Sequence, residues 1–174
     1  VSGKVHERWG FAPDGSSHSR ESLLVAGAAL PRDVPAFLRE LDRLYYRWIP
    51  RLTGGTVEVV PLRGGGAMAR VVPIGPVGLV LGPARIEGTR IERPILSGWL
   101  VGASSGTLAV ELVPREGGIE TAVVLRGFRP RLLSLPFGRV VYDRTQEWVH
   151  RRLSRGYLRR DVAPRLRAVR GDVR

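Results

Sequence analysis

Residues 33–50 read DVPAFLRELDRLYYRWIP, and the spacing inside this stretch decides the fold class. Val34, Phe37, Leu38, Leu41, Leu44, Tyr45, Trp48 and Ile49 recur at steps of three and four, which places them on one face of an α-helix. Asp33 is suited to accept from first-turn amides as an N-cap, and Pro35 sits where a missing N–H costs nothing. Pro50 is expected to close the run. The spacing predicts a helix over 34–49, either whole or broken by a kink.

Upstream, residues 22–30 (SLLVAGAAL) form a short apolar run closed by Pro31, as a first strand would. Residues 1–21 lack the apolar core of a signal peptide, and their run PDGSSHS reads as a flexible tail, so a cytoplasmic protein is expected. Downstream the period changes. Gly and Pro punctuate intervals of strand length near 56–62, 67–73, 77–81, 84–93, 95–101, 107–113 and 119–129. The clearest hairpin is the last pair, in which Leu108, Val110 and Leu112 alternate with Thr107, Ala109 and Glu111 before a turn at 114–118. With no room for crossover helices, the sheet should be antiparallel.

A second helix is expected over 135–160, its inner stripe running Phe137, Val141, Thr145, Trp148, Val149, Leu153 and Tyr157. Residues 161–174, with Pro164 and several arginines, read as a basic tail. The chain is thus expected to be one α+β domain over 22–160. Its 174 residues, 43% hydrophobic and 25% charged, suit a single globular core. The longest uncharged stretch, 94–110, is interrupted by Gly98, Gly102, Ser104, Ser105 and Gly106, which favours strands over a membrane span.

The absence of cysteine removes disulfides, thiolate nucleophiles, iron–sulfur ligation and cysteine zinc sites. His6, His18 and His150 show no metal-ligand spacing, so neither a metal nor another cofactor is expected. Gly64, Gly65 and Gly66 form no phosphate loop and suit a hairpin turn, while Ser97, Ser104 and Ser105 lack a nucleophile elbow. Glu87 and Glu111 are the carboxylates considered for acid–base work, but alternation turns both toward solvent. The net charge of +12 is uneven: 131–174 holds twelve arginines against Asp143, Glu147, Asp161 and Asp172. Such a surface attracts phosphates or anionic lipid, although charge runs are more often solvated faces.

The order strand, helix, uninterrupted antiparallel strands and long C-terminal helix resembles the START-like, helix-grip superfamily of lipid-transfer proteins and polyketide cyclases or aromatases. The resemblance covers 22–160 and rests on residues 23–30, 34–49, the strands from 56 to 128, and the segment 142–153 (YDRTQEWVHRRL). It implies a pocket between a curved sheet and the last helix, open to an apolar or aromatic small molecule. On that placement Tyr45, Trp99, Arg126, Tyr142, Thr145 and Trp148 are the expected lining or orienting residues, with Thr145 and Gly156 small enough to leave space. The function expected is that of a carrier or a cyclase-like enzyme. Two alternatives rest on charge alone. One is nucleic-acid binding, for which no reading motif is present; the other is weak docking on an anionic membrane through Arg151, Arg152, Arg155, Arg159 and Arg160.

Overall fold

The computed structural model describes residues 4–73, 75–99, 101, 106–129 and 152–169. Nine strands form one sheet: β1 (Val5–Phe11), β2 (Ser17–Ala26), β3 (Val57–Pro61), β4 (Ala67–Val71), β5 (Val77–Leu81), β6 (Arg85–Glu87), β7 (Arg90–Ser97), β8 (Gly106–Arg115) and β9 (Gly118–Phe128). The order is β1-β2-β9-β8-β7-β5-β4-β3, with β6 beside β7, and every pairing is antiparallel. Helix α1 (Val34–Leu52) leaves β2 before the long run of strands begins. A second helical stretch, α2, covers residues 152–169. This is the α+β, helix-grip arrangement expected from the order of elements.

Helix α1 begins where the sequence places it, with the Asp33 carboxylate accepting from the Ala36 amide at 2.9 Å. It ends later than expected, because Pro50 is accommodated in the last turn. Two carbonyls of this last turn are satisfied by residues past the helix end: Ile49 accepts from both the amide and the hydroxyl of Thr53, and Pro50 accepts from the Gly55 amide.

The N-terminal residues form strands where a tail was expected. The polar run closes a hairpin, in which Ala12 donates to the Ser16 carbonyl at 2.8 Å and Asp14 accepts from the Ser16 amide at 2.9 Å. Its strands join the sheet through β2, which pairs with β9 from Ser17 onward. The segment expected as one strand near 84–93 is instead a tight hairpin, Glu87 facing Arg90 across Gly88 and Thr89, with Gly88 at a φ of 55°. Pro94 does not divide β7. A strand residue's N and C=O point the same way, and the Pro94 carbonyl accepts from Gly82, so the missing donor faces the break between β6 and β5.

The C-terminal segment also differs from a basic tail. Residues after Arg160 continue the helix, and Val162, Ala163 and Leu166 are buried. Pro164 offers no N–H to the turn before it and its ring crowds that turn. The helix answers with a π segment over Leu158–Val162, closed by the Ala163 amide on the Leu158 carbonyl.

Both helices lie on one face of the sheet. Leu23, Val25, Leu38, Leu41, Val110, Leu112, Val123, Tyr157, Leu158 and Leu166 form the main core between them. Tyr157 ties the layers together, stacking edge-on against Tyr45 at 5.1 Å and donating to the Leu41 carbonyl at 3.0 Å. Tyr157→Phe, which keeps the ring and removes the hydrogen bond, is expected to cost about 1 kcal/mol in a denaturant titration. Gly156 does not leave a gap in the core. A Cβ there would stand 3.1 Å from the Trp48 ring, so its small size lets the two helices approach.

Candidate functional site

The register fixes which residues share the helix-bearing face. Reading across the strands, one row is Trp9, Ser19, Leu125, Leu108 and Arg93; the next is Glu7, Glu21, Val123, Val110 and Ile91; a third is Val5, Leu23, Thr121 and Leu112. The second and third rows are packed under α1 and α2. The first row is less covered: Trp9, Leu108 and Leu125 are only partly buried, as are Phe11, Val59 and Leu79, which belong to the same apolar cluster. This half of the inner face is an apolar floor that the described helical residues leave incompletely covered.

Polar groups extend from that floor toward the helices, Ser19 in the floor row, Glu21 one row and Thr121 two rows further in. Glu21 is 2% exposed, and Ser19 and Thr121 are similarly buried. The hydroxyls of Ser19 and Thr121 find no hydrogen-bond partner. Tyr45 reaches the same region from α1, and burial together with the Glu21 charge pushes its phenol well above the usual tyrosine range. The Ser154 hydroxyl opposes that shift weakly, without a hydrogen bond of standard geometry. Glu7, directly across from Glu21, receives Arg155 of α2 at 2.8 Å. A cavity of about 10 Å³, room for one water, lies between Tyr45, Tyr46, Ile91, Leu108, Val110 and Val123.

The structure places the expected site residues unequally. Tyr45 is on the inner face and buried. Arg126 is on the outer face, 3.5 Å from Glu111, because β9 turns Leu125 inward and the next residue outward. It therefore does not line a space beneath the helices. Trp99 stands in a turn, 51% exposed, with its amide donating to the Val77 carbonyl. Tyr142, Thr145 and Trp148 lie outside the described residues, as do the expected helix over 135–151 and His150. His6 and His18 are exposed strand residues rather than parts of a tail.

Alternation assigns Glu111 to the outer face correctly, yet Glu111 is not open to solvent. Arg20, Arg90 and Arg126 close over its carboxylate, and Arg20 continues to Glu120, which also takes Arg115. Glu87 is exposed. Of the arginines proposed for anionic surfaces, Arg155 is paired with Glu7, and Arg160 lies over the Trp48 ring at 5.7 Å. Trp48 in turn donates to Asp161. Among the described residues no cluster of His, Asp and Glu could hold a metal, and no helix is long and apolar enough to cross a membrane.

Glu21, Ser19 and Thr121 are the residues that sequence reasoning missed. The signal was present: Ser17, Ser19 and Glu21 extend the same alternate positions as Leu23 and Val25, and so face inward with them.

No protein-family model matches the chain, and no curated protein matches it. Solved structures do. A protein of Rhodobacter sphaeroides is similar at a TM-score of 0.50 with 14% identity, over 91% of this chain and 99% of that one. Ms6760 of Mycobacterium smegmatis gives a TM-score of 0.48 with 10% identity, over 98% of each chain. CalU16 of Micromonospora echinospora gives 0.43 with 13% identity, over 99% of this chain and 93% of that one. With the strand order above, the Rhodobacter likeness shows the fold, an antiparallel sheet in the helix-grip arrangement, over 91% of this chain.

Proposed function

We propose that this protein binds an apolar small molecule between the inner face of the sheet and the C-terminal helical segment, as a carrier or as a cyclase-like enzyme. The observation that carries this reading is the floor made by Trp9, Phe11, Val59, Leu79, Leu108 and Leu125. These side chains face the helix-bearing side yet stay partly exposed, where a filled core would bury them. A broad apolar surface edged by a few buried hydroxyls is the composition of a ligand site, in which apolar area supplies affinity and polar groups supply orientation. Tyr142, Thr145 and Trp148 remain the residues proposed to cover the floor from above.

The test is a binding titration with a neutral apolar fluorophore, N-phenyl-1-naphthylamine, on the native chain and on Leu125→Trp. The larger ring enters the space proposed for the ligand, so dye binding should be lost while the melting temperature holds. If the space is already filled, the same change overpacks it and costs about 1–3 kcal/mol, with no dye bound by either protein. That second result would overturn the reading.

A further inference from the structure

We propose that the outward ridge of α1, made by Arg39, Arg43, Arg47 and Arg51, binds the phosphate backbone of duplex nucleic acid without regard to its sequence. This surface is separate from the apolar floor, and the inference does not depend on what that floor binds.

Three observations lead to it. The four arginines follow one another at i,i+4 and all are exposed, so they form a row on the solvent side of a helix whose other side is buried in the core. At about 6 Å per step, the row is about 18 Å long. Its charge is not balanced. The acids of α1 are paired elsewhere, Glu40 with Arg165 at 2.8 Å and Asp42 with Arg93 at 2.7 Å, and among the described residues none of the four arginines joins an ion pair. The outer face of the sheet is arranged the other way, with Arg20, Arg90, Arg115 and Arg126 each meeting Glu111 or Glu120. Like charges one turn apart weaken a helix, so a face shaped for stability alone would alternate arginine with acid. At the end of the row, Arg51 and Arg160 of α2 both lie over the Trp48 ring, at 6.0 and 5.7 Å, which carries the positive surface from one helix to the other.

The chemistry of the row then selects the partner. Guanidinium groups hold phosphate oxygens through paired N–H donors. A duplex presents one phosphate charge per about 1.7 Å of its axis, so the row faces about ten phosphates counted over both strands. A single strand would also need aromatic faces on which to stack its bases, and the Trp48 ring already lies under two arginines. A helix that lies on a bilayer sinks an apolar face into it, whereas the apolar face of α1 is taken up by the core. A row of a single residue type holds no pattern that could match a base sequence, so the contact is to the backbone.

The experiment follows the anisotropy of a fluorescein-labelled duplex of mixed sequence, about twenty base pairs long, titrated with the native chain between about 50 and 200 mM salt. Four phosphate contacts predict that the logarithm of the binding constant falls against the logarithm of salt with a slope of about −4. Arg43→Gln with Arg47→Gln should flatten that slope by about two and weaken binding about tenfold or more at the lower salt. Arg8→Gln with Arg126→Gln removes the same charge from the outer face of the sheet and should change the slope by less than about half a unit. Arg39→Gln with Arg51→Gln repeats the ridge test at the other two positions, with circular dichroism to check that each variant is folded. Equal losses for the ridge and outer-face pairs would show that the overall charge attracts the duplex and that the ridge is not the site. Binding to vesicles of phosphatidylcholine and phosphatidylserine, at about three to one, with no duplex bound would make the partner an anionic bilayer. Binding to neither would leave the ridge a solvated face. Any of these three results overturns the proposal.

Discussion

Asp42→Ala should destabilise the protein by about 3–5 kcal/mol, one of the largest single-residue effects expected in this fold. Asp42 projects from α1 and Arg93 from β7, and both side chains are nearly nine-tenths buried. Four of the guanidinium's five N–H donors are engaged. Its Nε and one terminal nitrogen grip the Asp42 carboxylate at 3.0 and 2.7 Å, and the other terminal nitrogen donates to the carbonyls of Gly65 and Gly82 at 2.6 and 2.9 Å. The Tyr46 ring lies 5.4 Å away under its positive charge. One side chain thus joins the helix, the β3–β4 turn and the end of β5. Removing the carboxylate strands a buried cation, which costs far more than the pair contributes over an apolar replacement. Urea unfolding should show a lower midpoint at an unchanged slope, and the double variant Asp42→Ala with Arg93→Met should recover part of the loss. A cost below about 1 kcal/mol would mean that water reaches the guanidinium and screens it.

The same pair illustrates what the sequence disclosed and what it withheld. Helix α1 is legible because its apolar period is strong and its cap residue stands at the right place. β5 is legible to the residue, and β8 and β9 nearly so, because Gly and Pro bracket runs of Val, Leu and Ile. The partnership of Asp42 and Arg93 is not legible, since it joins residues 51 positions apart and no periodic rule links a helix to a strand at that distance.

Where sequence reading failed, it failed because polar residues faced inward or a proline was tolerated. On β2 the inner positions change from Leu23 and Val25 to Ser17, Ser19 and Glu21, so the rule that inward means apolar cut the strand short. Pro50, Pro94 and Pro164 each stand where the lost donor is affordable or the helix can widen around it. Arg126 shows the complementary error. The helix-grip resemblance implied a lining or orienting group there, but strand parity turns it outward to Glu111.

Buried tyrosines give the second large effect, a loss of stability in alkali. Tyr45 and Tyr157 are 3% and 0% exposed, and burial first, then neighbouring negative charge, raises the pKa of each phenol above its ordinary value. In the unfolded chain both ionise near pH 10, while the folded protein still holds both protons. The folded state therefore binds more protons in that range, and stability must fall as pH rises. The contribution is complete below about pH 10 and is lost above it, at about 1.4 kcal/mol per pH unit for each tyrosine once the unfolded phenols are ionised. Tyr46, whose phenol burial also raises well above its ordinary value, makes three such groups, which together give about 4 kcal/mol per unit, enough to exhaust an ordinary domain's stability within a few units. Lys4 is the sole lysine, and arginines stay charged in this range, so little else titrates to obscure the slope. Tyr45→Phe and Tyr157→Phe should each remove about a third of the slope above pH 10, whatever they cost at neutral pH. Phenolate absorbance from the buried tyrosines should appear only together with loss of the native circular dichroism. Phenolate from all four tyrosines rising near pH 10, with the native spectrum intact, would show that solvent reaches Tyr45 and Tyr157 and that the core between α1 and α2 is open.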